Sequence, residues 1–130
     1  MDELVSTMKS VQNPEMRQEV LSSLSSLANF EYQKRVWNES PSPDYYDCFD
    51  QVVHTLYDDC MVLPKPVAPL GQILLNRDEV VFLIELSNVL SPLIDRLGDA
   101  SDIAYMSDPS WPAVVQAALE ALCAMVRAGG

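Results

Sequence analysis

The feature that most constrains the fold is an apolar pattern between Asp78 and Gly98, where hydrophobic residues recur at intervals of three and four. That spacing follows one face of an α-helix, whereas a half-buried strand alternates with a period of two. Val80 and Ile84 add apolar surface on the far side, so we expect the central, most buried helix here. Asn76 or Asp78 is expected to start it and Gly98 to end it. Its main apolar face comprises Phe82, Leu83, Leu86, Val89, Leu90, Leu93, Ile94 and Leu97.

The same periodicity predicts further helices on both sides of this one. Asn13-Pro14 is typical of a helix start, and apolar residues continue at helical spacing to Ala28. Residues 30–37 predict a short helix or turn, and a helical turn is expected around Ile103. Ser110 or Asp108 is expected to cap a last helix. Its predicted buried face is Val114, Val115, Ala118, Leu119, Leu122, Met125 and Val126.

We interpret the segments between these helices as non-helical connections. Residues 38–43 (NESPSP) form a linker, residues 61–76 include a Pro-rich crossing segment, and residues 1–12 are expected to fray. Only four glycines occur in 130 residues, which disfavours a turn-rich β architecture. The sequence therefore predicts one all-α domain over residues 1–130, a helical bundle of four to five main helices.

Net charge restricts the partners. Nineteen acids against eight bases give −11 at pH 7. We do not expect this chain to bind nucleic acid, because phosphate binding needs a basic surface. Binding to an anionic membrane is disfavoured for the same reason. The charge favours fast association with a basic protein, although solubility alone is an alternative explanation for it.

The cellular compartment is expected to be the cytoplasm. The N-terminus has neither a basic region nor an apolar core of the kind found in signal peptides, and apolar stretches are too short to span a bilayer. Three cysteines without CxxC spacing indicate reduced thiols. We interpret Cys60 and Cys123 as thiols of the core.

Residues 44–60 predict a helix with an apolar arc on one side and a polar arc opposite. At 100° per residue the polar arc holds Asp47, Asp50, His54 and Asp58. Like charges three or four apart repel slightly, so this arc is either tolerated surface or maintained for a partner. A further acidic stretch, which contains no lysine or arginine, lies between Leu97 and Val126.

Aromatic residues accompany the acids between Val36 and Pro64. An interface would use them as anchors beside steering carboxylates, whereas a core would bury them and leave the acids solvated; the sequence supports both readings equally. Trp37 belongs to this aromatic set. The candidate partner-binding residues are Asp44, Tyr45, Tyr46, Asp47, Asp50, His54, Tyr57, Asp58 and Asp59.

We find no motif of a catalytic or metal-binding site among these residues. Cys48, His54 and Cys60 are six residues apart, so on a helix they cannot converge on one metal ion. His54 between Asp50 and Asp58 could serve as a general base, but no nucleophile motif accompanies it. We therefore expect no enzyme activity, no cofactor and no metal site.

A compact acidic helical protein with a carboxylate-rich face resembles the immunity proteins of contact-dependent inhibition and other polymorphic toxin systems. The segments MRQEVLSSLSSL, FEYQKRVW, FDQVVHTLYDD and SDPSWPAVVQAALEAL are also similar to a family of small uncharacterised bacterial proteins. The first resemblance implies a cytoplasmic protein that binds a basic, nuclease-like toxin domain and blocks its active site. An alternative is a helical adaptor that self-associates through Val80 and Ile84, although a monomer is favoured.

Overall fold

A computed structural model describes residues 11–37, 48–63, 65 and 71–129. Across these ranges the chain is helical and has no β-strand, which confirms the all-α fold. Residues 1–10 and 38–47, including the predicted linker 38–43, lie outside the described residues. The helices are α1 (Pro14–Leu27), α2 (Phe30–Val36), α3 (Phe49–Val53, continued by a π-helix over His54–Asp59), α4 (Arg77–Leu97), α5 (Asp102–Met106) and α6 (Trp111–Arg127).

Short polar residues begin the helices where the sequence placed them. Asn13 Oδ1 accepts from the backbone N–H of Met16 at 3.1 Å, and Asn76 Oδ1 accepts from that of Glu79 at 3.1 Å. Each bond satisfies an N–H that has no partner within the helix. Gly98 ends α4 with a φ of 55°, in the left-handed region that glycine adopts without a steric penalty. The predicted limits of α1 and α4 are confirmed.

The core lies where α6 packs against both α4 and α1. On α4, four leucines of the predicted face are buried as expected, namely Leu83, Leu86, Leu90 and Leu93, whereas Leu97 is half buried. The expectation that Val80 lies on the far side of α4 from its main apolar face is wrong, because Val80 belongs to the same buried core and is only 7% exposed. It lies three residues before Leu83 and seven before Ser87, so helical geometry places all three on the buried face. The exposed apolar residues of α4 are Val81 and Ile84 instead.

The buried face of α6 differs from the prediction. Alanines at positions 117, 121 and 124 are buried, whereas Leu119 is 41% and Val126 is 58% exposed. Small side chains let helix backbones approach closely, so α6 buries these alanines together with Val114 and Met125 and turns Leu119 and Val126 outward. Cys123 is exposed, which makes the prediction of a core thiol there wrong; Cys60 is buried as predicted.

Four aromatic rings pack together in the core. Phe49 lies 4.3 Å from Tyr105 between ring centroids and 5.6 Å from Trp111, and Trp37 lies 6.3 Å from Trp111 in an edge arrangement. The Tyr105 hydroxyl donates to the Gly98 carbonyl at 2.6 Å. Trp37 is therefore a core residue, which decides between the two readings for this side chain.

Two buried polar side chains tie distant helices together. The Arg17 guanidinium of α1 forms a bidentate ion pair with Glu79 of α4, and its Nη atoms also donate to the carbonyls of Ile73 and Met125. Gln33 of α2 donates to the carbonyls of Ser26 and Leu27. Its Oε1 accepts from the Trp111 indole at 2.9 Å.

Candidate protein-binding surface

The π-helix of α3 gives the candidate surface its geometry. Phe49, Val52, Leu56 and Cys60 bury one side of α3 against the core. The amide of Phe49, at the first turn, donates to the carboxylate of Asp102 at 3.3 Å. From His54 onward the helix is wider, so residues four and five apart share a face. The prediction of a regular α-helix is therefore wrong for the second half of this segment.

Asp59 joins the acidic face because of that wider turn. His54 Nδ1 lies 3.0 Å from Asp58 Oδ2, and His54 Nε2 lies 3.4 Å from Asp59 Oδ1. In a regular α-helix only the residue four positions on would meet the imidazole. The three side chains are about half exposed or more, with fractions of 58%, 65% and 49% in chain order. We call Asp50, His54, Asp58 and Asp59 the α3 acidic face.

The other predicted partner-binding residues have different positions. Tyr57 is half buried, and its hydroxyl lies 2.7 Å from Ser91 Oγ of α4, so it links two helices of the fold. The remaining four predicted residues, Asp44, Tyr45, Tyr46 and Asp47, lie outside the described residues.

Acids of other helices lie close enough to α3 to shift the pKa of two of its side chains. Burial, followed by the charges of Glu19 and Asp59, raises the pKa of the Cys60 thiol to about 11. The pKa of Tyr57 is also raised, first by burial and then by Asp95, against the opposing effect of its hydrogen bond to Ser91. Glu19 belongs to α1 and Asp95 to α4, so the negative field around α3 comes from three helices.

The second acidic stretch of the sequence meets the opposite end of α3. Burial raises the pKa of Tyr105, and the charges of Asp50 and Asp99 add to that shift. Asp102 caps the start of α3. Sequence reasoning identified both acidic stretches but could not place them together, since only the tertiary fold brings Asp102 to the amide of Phe49 and both Asp50 and Asp99 within electrostatic range of Tyr105.

The lysine and arginine ion pairs of the described residues lie away from α3. In this part of the chain, none of these pairs involves a carboxylate of α3. The carboxylates in those pairs lie on α2, at the start of α4 and before α6. The pairs are Arg17–Glu79, Lys34–Glu31 and Arg96–Asp108.

The shape of the surface suits a macromolecular partner. A shallow depression of about 350 Å³ is lined by Asp50, Gln51, Val53, His54 and Asp58. It is open to solvent, unlike the enclosed apolar clefts that bind small molecules.

Residues 11–37, 48–63, 65 and 71–129 contain no group of three or more His, Cys, Asp or Glu side chains placed to hold a metal ion. None of their helices is long and apolar enough to cross a lipid bilayer.

The fold and this surface define a small all-α domain with a concentrated acidic face. The chain belongs to the family described as a domain of unknown function, DUF7945, whose match covers residues 11–130. No curated protein and no solved structure matches the chain.

Proposed function

We propose that this protein is an immunity-type inhibitor that binds a basic, nuclease-like toxin domain and occludes its active site. The observation that carries the proposal is the α3 acidic face itself, where exposed carboxylates lie beside His54 and no lysine or arginine of the described residues forms an ion pair with them. The resemblance to immunity proteins supports the same class of partner.

The mechanism follows from charge and shape. A nuclease cleft carries basic residues that hold nucleic-acid phosphates. Carboxylates of the α3 acidic face would pair with those basic residues and occupy the positions of the phosphates. Because the carboxylates are exposed, they act mainly on the rate of association, which long-range attraction accelerates at low ionic strength.

The test neutralises three charges without changing side-chain size. Where a neighbouring gene encodes a basic, nuclease-like toxin domain, the variant Asp50→Asn/Asp58→Asn/Asp59→Asn is mixed with that domain, and association is measured by stopped flow. We expect the association rate constant to fall at least about tenfold at low salt, with the difference shrinking as salt rises. Protection of toxin-expressing cells should weaken in parallel.

A matched control removes the same number of charges elsewhere. Glu31→Gln/Asp78→Asn/Glu85→Gln alters exposed acids of α2 and α4 and keeps the α3 acidic face intact. If both triple variants slow association equally, the effect is one of net charge only. If the α3 variant associates and protects like the unmodified protein, this face is not the binding site.

A further inference from the structure

Helix α6 presents an apolar stripe to solvent. The stripe consists of Val115, Leu119, Leu122 and Val126, separated by four, three and four residues. Leu119 is 41% and Val126 is 58% exposed, while Val115 and Leu122 are half buried. Apolar side chains scattered singly over a surface need no explanation, but a row at helical spacing forms a continuous contact surface.

The charge of α6 differs from that of the protein. Glu120 and Arg127 are the only charged residues among its 17, one of each sign. The whole chain carries −11, so two copies that met on the α3 acidic face would repel each other. The charges of α6 itself balance, so two copies that meet on this helix bring together less negative charge than they would on the α3 acidic face.

The stripe is symmetric in its spacing. Read from either end it runs four, three, four, so two antiparallel α6 helices place Val115 of one copy opposite Val126 of the other, and Leu119 opposite Leu122. Such spacing lets the side chains of one helix enter the gaps of the next. A two-fold axis between Glu120 and Ala121 generates both pairings at once.

A groove at the start of α6 extends this surface. It has a volume of about 460 Å³ and is lined mainly by apolar side chains, including Phe30, Met106, Trp111 and Pro112 together with Val115 of the stripe. Phe30 on its rim is 41% exposed. The antiparallel arrangement directs Val126 of the second copy, the most exposed residue of the stripe, toward this groove.

We infer that a second copy of this chain docks antiparallel on the α6 stripe and forms a two-fold dimer with Val126 in the groove of its partner. This inference does not depend on the proposed function, and it leaves the α3 acidic face free. One helix face and one groove per copy give an interface at the small end of stable dimers, roughly 1,000–1,200 Å² in total. We expect a weak dimer, with a dissociation constant on the order of micromolar.

Sedimentation velocity over a micromolar concentration series tests the dimer. The unmodified chain is expected to shift from monomer to dimer, and Leu119→Glu and Val126→Glu are each expected to raise the dissociation constant at least about tenfold by burying a charge. Val81→Glu, at a 49% exposed position of α4, is the matched control and should dimerise normally. Circular dichroism confirms that each variant is folded.

The exposed Cys123 supplies an independent geometric readout. A rise of ~1.5 Å per residue and a spacing of about 9 Å between helix axes place the two Cys123 Cα atoms about 12 Å apart. A short bismaleimide should therefore give a covalent dimer that Cys123→Ser and Leu119→Glu abolish. A chain that stays monomeric throughout the series overturns the inference, and so does a dimer that survives both glutamate variants.

Discussion

The buried ion pair between Arg17 and Glu79 joins three parts of the fold. Arg17 Nη2 lies 2.6 Å from Glu79 Oε2, and Glu79 Oε1 also accepts from the backbone N–H of Leu75 at 2.6 Å. Only 4% of Arg17 and none of Glu79 is exposed. The perturbation with the clearest consequence is Glu79→Gln, which keeps the volume of the side chain and removes its charge.

The expected loss in free energy of unfolding depends on the contacts that Arg17 keeps in the Glu79→Gln variant. The carbonyls of Ile73 and Met125, at 2.9 and 3.1 Å, still accept from its guanidinium, but no carboxylate is left to balance a buried positive charge. Removing one partner of a buried pair costs about 3–5 kcal/mol, and the retained carbonyl contacts place this case near 3. The expected decrease in melting temperature is roughly 10 °C.

Urea denaturation followed by circular dichroism measures the free energy of unfolding. Glu31→Gln is the matched control, because the same chemical change there removes an exposed ion pair with Lys34, at 3.4 Å, and should cost under about 0.5 kcal/mol. Replacing the buried pair by Arg17→Met/Glu79→Leu should cost less than Glu79→Gln alone, since neither charge is left unpaired. If Glu79→Gln is as stable as its control, the pair does not hold these helices together.

Two further predictions concern polar and titratable groups of the core. Gln33→Leu removes the acceptor for the Trp111 indole and the donor to two α1 carbonyls, so we expect a loss of ~2–4 kcal/mol in urea denaturation. Cys123 should react with a maleimide at neutral pH, whereas Cys60, whose pKa is about 11, should stay unmodified in the folded protein. Because its folded pKa is raised, Cys60 contributes stability that is full below about pH 8.5 and is lost as the pH rises toward 11.

Each of these has a control. Gln18→Leu makes the same substitution at an exposed position of α1 and should leave the free energy of unfolding unchanged within about 0.5 kcal/mol. A Gln33→Leu protein as stable as that control would contradict the role assigned to the amide. Mass spectrometry of the labelled thiols reports the cysteine reactivities, and equal labelling rates at positions 60 and 123 would show that Cys60 is not shielded.

Local interactions explain why helix limits could be predicted. Asn13 and Asn76 cap helices through bonds that span three residues, and Gly98 ends α4 through its own backbone conformation. Such interactions need no knowledge of the rest of the chain. The π-helix was not predictable in this way, because the pattern in residues 44–60 fits a regular helix equally well.

The candidate surface was predictable only in part, since proximity in sequence is a poor guide to proximity in space. The pairing of His54 with Asp58 follows from a separation of four residues. The contribution of Asp95 beside Tyr57 and of Asp99 beside Tyr105 depends on how α4 and the following segment fold back over α3. No local pattern encodes that arrangement.

It follows from the sequence alone that this chain is helical, where its main helices begin and end, and that it carries a large negative charge, because periodicity, capping and composition act locally or by simple sum. The packing of the helices against one another selected which side of each apolar arc is buried. It buried Val80 and exposed Leu119 and Cys123, because an arc wider than one contact can face several ways and only the neighbouring helices select among them. It likewise brought Arg17 and Glu79 together across 62 residues and gathered the acids around α3.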